Sequence, residues 1–437
     1  MNILKNKTKI INLKFFIFCL IFPLSLSLVT SCDTTETKTH RIILKEKSVA
    51  STEVWLELNV EGFTLPQKIE LIRNGKTIRN ILATQRNTIV FDDNLKPLTN
   101  YDYVAKLSDR LFVADVSQIK TLDTTSHDFT WETFYFGDGN ATSKFMDVEI
   151  INENDIWVVG KISGDGYDSN GKQYDLFNAV RWDGEKWNLE RILSYGYCNQ
   201  NQKYVRPINS ISYANYGVIW CAYGNQIINA SQNIAYCNTE ITGLYTIEKL
   251  DDDGLIAVNH SEEVSYLNYF INGEWSRITK PEEGVNLDLL PIIDKNNETI
   301  ILFPNSNNLT KKSKIYSVNK NKLVNFHSDL PDVFIASIWT HGTNPIYAVG
   351  KGLHENKNGK WTSIDYNSTH SLQKIRGSEL NNIVAVGWEN VVHYNGSTWK
   401  RYEELDGIYN SVAVKNDLVV IVGMQNNKAA IVVGKKN

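Results

Sequence analysis

Along residues 41–122 apolar and polar side chains alternate with period two, and along 129–437 short apolar runs recur between turn signals. In the first stretch Val54, Leu56, Leu58 and Val60 share one face, while Trp55, Glu57 and Asn59 share the other. Such alternation predicts half-buried strands. Strand-like runs fall near 53–60, 68–73, 88–91, 101–107 and 111–120, and Asn74-Gly75 supplies a tight hairpin turn. Short strands at this spacing predict a two-sheet sandwich over 41–122.

The second stretch repeats. NDIWVVG ends at Gly160, NPIYAVG at Gly350, NNIVAVG at Gly387 and DLVVIVG at Gly423. A second block trails the first: WDGEKW at 182–187, NGEW at 272–275, NGKW at 358–361 and NGSTW at 395–399. DG and NG pairs suit hairpin turns that need positive φ at both central residues. Each unit therefore reads as an apolar strand, the IWVVG-type strand, a third strand, the turn and a Trp-bearing fourth strand. Four antiparallel strands in about 40 residues make one blade of a β-propeller.

With degenerate units near 205–240 and 287–328 the spacing gives six complete units, and 407–436 supplies a seventh lacking its Trp strand. Phe129-Thr130-Trp131-Glu132-Thr133-Phe134 precedes the first unit and resembles the outer strands EWSRI and KWTSI. A strand at 129–137 is therefore expected to complete the last blade, which leaves the ring without a free edge. The expected fold is all-β: a sandwich, then a seven-bladed propeller over 129–437, with six or eight blades as alternatives.

The N-terminus carries an address. Lys5, Lys7, Lys9 and Lys14 precede an apolar run from Phe15 to Val29, too short for a permanent membrane-spanning helix but suited to a signal peptide. Val29-Thr30-Ser31-Cys32 resembles a bacterial lipobox, which implies cleavage after residue 31 and lipidation of Cys32. Residues 32–40 then read as a polar tether. The implied place is the membrane, reached through acyl chains at Cys32, with the outer membrane or cell surface favoured. Of the remaining cysteines, Cys19 leaves with the signal. Cys198, Cys221 and Cys237 allow at most one disulfide, and either a Cys221–Cys237 bridge across a hairpin or three buried thiols fits.

Two resemblances extend this. Leu95-x-Pro97-x-Thr99-x-Tyr101-x-Tyr103 resembles a stretch of fibronectin type III domains, which implies a tyrosine corner at Tyr101. That family's core Trp would fall near Leu58, whereas Trp55 alternates outward. The segment DTTSHDFTWETFYFGDG with NENDIWVVG is similar to bacterial lipoproteins that pair this sandwich with a propeller of DIWAVG and W(D/N)GxW repeats, an uncharacterised family.

Lys+Arg 45 against Asp+Glu 49 gives a net charge of −4, which removes the basic excess of a nucleic-acid binder. The eight histidines show no zinc spacing, and no GxSxG or phosphate-loop motif occurs. His393, in VVHYNG, reads as a packed strand residue. The polar run Gly164–Gly171 fails the calcium-loop pattern, having Gly166 at its first position and Phe177 at its twelfth, and reads as a hairpin loop. Glu262-Glu263 and Glu403-Glu404 are adjacent, so on strands they face apart.

Trp157, Trp187, Trp275, Trp361 and Trp399 recur within the repeat and read as inter-blade packing. Trp339 and Trp388 break the pattern and are the ligand-binding candidates. No catalytic residue, metal site or cofactor is expected. The expected function is a non-catalytic module binding protein or polysaccharide. The alternatives are a periplasmic scaffold and an extracellular glycan-active enzyme.

Overall fold

The computed structural model describes residues 40–437 apart from 109–113, 115–116, 138–142, 165–175, 197–201, 215–217, 238–242, 250–253, 261–264, 272, 280–290, 294–298, 304–313, 320–321, 328–330, 332 and 342–344. The signal segment, Cys32, Cys198 and the 165–171 part of the polar loop lie outside the described residues.

The N-terminal strands form two sheets. One orders Arg41–Val49, Val54–Glu61 and Asn87–Asp92; the other orders Lys76–Ala83, Gln67–Arg73, Asn100–Leu107 and Ser117–Lys120. Val54, Leu56, Leu58 and Val60 meet Ile69, Leu71, Tyr103, Ala105 and Ile119 in one core between them. Lys96 N–H donates to Tyr101 Oη at 2.8 Å, tying the Asn100–Leu107 strand to the loop that leads into it. Tyr103 Oη donates to Asp92 at 2.6 Å, and Asp92 also pairs with Arg73 at 2.8 Å.

The remaining strands build four-stranded antiparallel sheets that resemble propeller blades. Seven occur among the described residues. Their first strands are Lys144–Asn152, Ser210–Ala214, Leu244–Lys249, Pro291–Ile293, Ile335–Thr340, Leu372–Glu379 and Ile408–Lys415. Second strands such as Asn382–Gly387 and Ile346–Gly350 are buried throughout, which explains their β-branched character on both faces.

The repeated glycine that ends these second strands has a steric cause. Gly160, Gly350, Gly387 and Gly423 sit opposite Phe145, Ile335, Leu372 and Tyr409, immediately before a bulge in each first strand. A Cβ at any of the four would meet the facing Cα at 2.6 to 2.8 Å and collide with the carbonyl before it. The bulge inserts one residue and turns the next, Asp147, Ser337, Lys374 or Ser411, to the other face.

The last sheet joins the first. Strand Phe129–Phe136 pairs antiparallel with Lys428–Lys436, from Phe129↔Lys436 to Phe136↔Ala429, and so supplies the outer strand expected from FTWETF. Phe145, Ile156 and Val180 share a cluster with Val420, Val422 and Ile431, so apolar packing crosses the junction of chain ends. The fourth-strand tryptophans pack between neighbouring sheets: Trp187 lies 5.9 Å from Phe134, and Trp399 lies 5.9 Å from Tyr347.

Residues 40–437 form one compact unit, and Trp55 shows how its parts are joined. The indole points away from the N-terminal core and is fully buried among Trp339, Tyr347, Leu353, Tyr366 and Leu372. Beside it Lys357 bonds both Glu53 and Glu355, the latter at 3.1 Å. The connecting segment is held as well: Ser51 Oγ and Asn381 Nδ2 donate to Asp123 O, and Thr125 Oγ1 donates to Asn381 O.

The cysteines differ from both expectations, the Cys221–Cys237 bridge and the three buried thiols. Cys237 is disulfide-bonded while Cys221 is free and buried, so the two do not bridge each other. Cys221 and Cys237 stand on strands separated by Gln226–Asn229, which pairs with both.

Candidate functional site

The first strands of the first three and last three blade-like sheets lie side by side, in the order Leu244–Lys249, Ser210–Ala214, Lys144–Asn152, Ile408–Lys415, Leu372–Glu379 and Ile335–Thr340, and border a common axis. Because each bulge re-aims the residue that follows it, the strands present equivalent side chains inward. At the first level stand Asp147, Thr246, Ser337, Lys374 and Ser411; two residues on stand Glu149, Glu248, Trp339, Arg376 and Ala413. A cavity of about 170 Å³ opens there, lined among others by Asp147, Glu149, Glu248, Lys374, Arg376 and Ser411.

Asp147 is a junction. Its Oδ1 accepts Ser411 Oγ at 2.8 Å from the last sheet and its Oδ2 accepts Ser210 Oγ at 3.0 Å and Ile211 N–H at 3.1 Å from the second. Its neighbour Val148 also donates its N–H at 3.0 Å. The same linkage recurs elsewhere in the ring, where Ile247 N–H donates to Ser210 Oγ at 3.3 Å and Ile375 N–H to Ser337 Oγ at 3.2 Å.

Glu248 and Arg376 belong to the third and sixth blade-like sheets, which are not neighbours, so their 3.0 Å ion pair spans the axis. Burial pushes the Glu248 carboxyl up, and Arg376 opposes this. Glu149 is deeper in effect: burial first, then the charges of Glu248 and Asp147, raise its pKa to about 8. It therefore carries its proton at neutral pH. Burial, and next the Arg376 charge, lower Lys374 to about 8, against the pull of Asp147, Glu248 and Glu149.

The two tryptophans singled out from sequence occupy different settings. Trp339 is 6% exposed; its ring lies over Gly377, a cavity-lining residue, and 6.3 Å from Tyr347. Trp388 is 55% exposed, in the turn after Gly387, its backbone N–H bonded to Ser371 O at 3.2 Å. They are not brought together with the charged cluster as one site. His393 is buried, its Nε2 3.0 Å from Asn382 Oδ1 and its Nδ1 2.9 Å from His127 Nδ1. Among the described residues no group of three or more His, Cys, Asp or Glu could hold a metal ion.

The five charged residues are not apparent in the sequence because they lie on three first strands far apart along the chain, and none belongs to a motif. A signal existed. In DVEI, TIE and KIR a polar or charged residue alternates with an aliphatic one on a first strand.

Fold and site together define an all-β, propeller-like protein with a charged cavity at its axis. No family model matches the chain, and no curated protein matches it. Among solved structures, a quinonprotein alcohol dehydrogenase-like protein from Bacteroides thetaiotaomicron is similar at 10% identity and a TM-score of 0.35, covering 89% of this chain and 95% of that one. Oligogalacturonate lyase in complex with manganese is similar at 9% identity and a TM-score of 0.42, covering 72% of this chain and 98% of that one. Neither likeness carries an argument about ligand or chemistry.

Proposed function

We propose that the chain is an exported lipoprotein, held at the outer membrane or cell surface by acyl chains on Cys32, whose propeller binds protein or polysaccharide without cleaving it. The two N-terminal sheet orders and the Lys96–Tyr101 bond support a fibronectin type III-like sandwich as its spacer. The seven four-stranded sheets, with apolar packing between last and first, support a seven-bladed ring.

One observation carries the non-catalytic reading. Of the three carboxyls lining the axial cavity, Asp147 is occupied by donors from both neighbouring sheets and Glu248 by Arg376. Glycoside cleavage by acid and base needs two carboxyls free to serve the scissile bond, and only Glu149 is left. The cavity is thus equipped to hold a polar group, not to split one.

Protease treatment of intact and lysed cells tests the location, with Cys32→Ser as the comparison. Rapid digestion on intact cells, and loss of membrane retention in Cys32→Ser, is the expected result. Protection until lysis would place the propeller in the periplasm and favour a scaffold for envelope assembly.

A further inference from the structure

We infer that the axial cavity is a carboxylate site, in which Lys374 and Glu149 receive the acid group of a small carboxylic acid or of an acidic sugar. This rests on the binding-module reading and names the chemistry of its ligand.

The argument is one of unmet partners. Within the cavity Asp147 has its oxygens filled by Ser411, Ser210 and the Ile211 N–H, and Glu248 is committed to Arg376. Arg376 spends a second N–H on its own Ile375 O at 2.9 Å. Lys374 Nζ and the Glu149 carboxyl make no hydrogen bond or ion pair among the described residues, yet both line the void. The charges of Asp147 and Glu248 act on Lys374, but neither is hydrogen-bonded to its ammonium, and the usual partner of a partly buried ammonium is a paired, hydrogen-bonded anion.

A carboxylate meets both groups at once. One oxygen accepts from the Lys374 ammonium and the other accepts the proton that Glu149 holds at neutral pH, its pKa being about 8. A neutral hydroxyl would satisfy Glu149 and leave the ammonium without a hydrogen-bonded anion. The room available, about 170 Å³, holds a terminal group or a single small acid.

The test is calorimetric titration of the full chain in detergent with sodium glucuronate, sodium acetate and glucose, at about pH 7 and about pH 9.5. Glucuronate is expected to bind at least about tenfold more tightly than glucose, and Lys374→Met to remove that preference. Lys374→Arg, which keeps the charge, is expected to retain it and guards against a folding defect. Binding should weaken at the higher pH, where Glu149 ionises and Lys374 loses its proton, with Asp147, Glu248, Arg376 and Lys415 as the other charges facing them. Acetate binding as well as glucuronate assigns the site to free acids; glucuronate alone assigns it to acidic sugars. Equal binding of glucose and glucuronate that Lys374→Met leaves unchanged overturns the carboxylate site while the binding module stands. Absence of binding by all three probes also overturns it.

Discussion

The Ser411 hydroxyl donates a 2.8 Å hydrogen bond to Asp147 across the junction between the last blade-like sheet and the first. With Ser210 and Ile211 on the other side, Asp147 ties three first strands together at the axis. Asp147→Ala would leave inward donors unpaired, a loss of about 3 kcal/mol. Ser411→Ala removes one partner and should cost about 1 kcal/mol. Urea denaturation of the two variants, read as a shift in midpoint, checks the ranking.

The bulge glycines should be the least replaceable positions of the repeat. At Gly423 a Cβ would fall 2.8 Å from Tyr409 Cα, against backbone that cannot rotate away. Gly423→Ala is expected to destabilise by about 3 kcal/mol, at the upper end for overpacking. Gly75, at φ +77 with open space around its Cβ, should cost only about 1 kcal/mol as alanine through left-handed strain. Similar thermal shifts for both would sink this explanation of the VVG repeat.

Acid should loosen the region where the connecting segment meets the sixth blade-like sheet. His393 is held neutral, its pKa lowered to about 3 by burial and then by His127, Lys436 and Lys400, whereas the unfolded residue titrates near 6.5. A depressed histidine leaves the folded state binding fewer protons than the unfolded one. Its contribution is therefore complete above about pH 6.5 and drains away as pH falls towards 3. His127 is lowered in the same direction by burial and by Lys400. Thermal melts of wild type and His393→Gln between neutral and acid pH should show a flatter dependence in the variant.

Trp55 is expected to govern docking of the N-terminal sheets more than their own stability. Its side chain belongs to the cluster of Trp339, Tyr347 and Leu372, not to the core of Leu56 and Leu58. Trp55→Ala should cost about 4 kcal/mol and expose the 123–128 segment to protease. Unaltered proteolysis there would show that Lys357, Glu53 and the Asp123 contacts hold the junction without it.

These residues show what could be read from the chain alone. Repeats revealed the sheets because VVG and NG-Trp recur with a local cause, a bulge contact and a hairpin turn. The alternation of Trp55 to the outer face was visible, but its partner surface lies nearly three hundred residues away in sequence. Strand Arg41–Val49 was not anticipated, since a bulge between Glu46 and Ser48 breaks its alternation. Lys76–Ala83 was missed beyond its turn because it is largely exposed on both faces. The axial cluster was hidden for a different reason: Asp147, Glu149, Glu248, Lys374 and Arg376 gain meaning only when separate first strands are brought side by side.

The most direct test of a binding module is mass balance on its ligand. Cell-surface polysaccharide and envelope protein fractions would be incubated with the full chain, and the bound material eluted and sized, for wild type and for Glu149→Gln/Lys374→Met. Saturable retention of material that returns intact, and its loss in the double variant, is the expected result. Recovery of shortened fragments that the double variant no longer generates would contradict it and make the protein an enzyme.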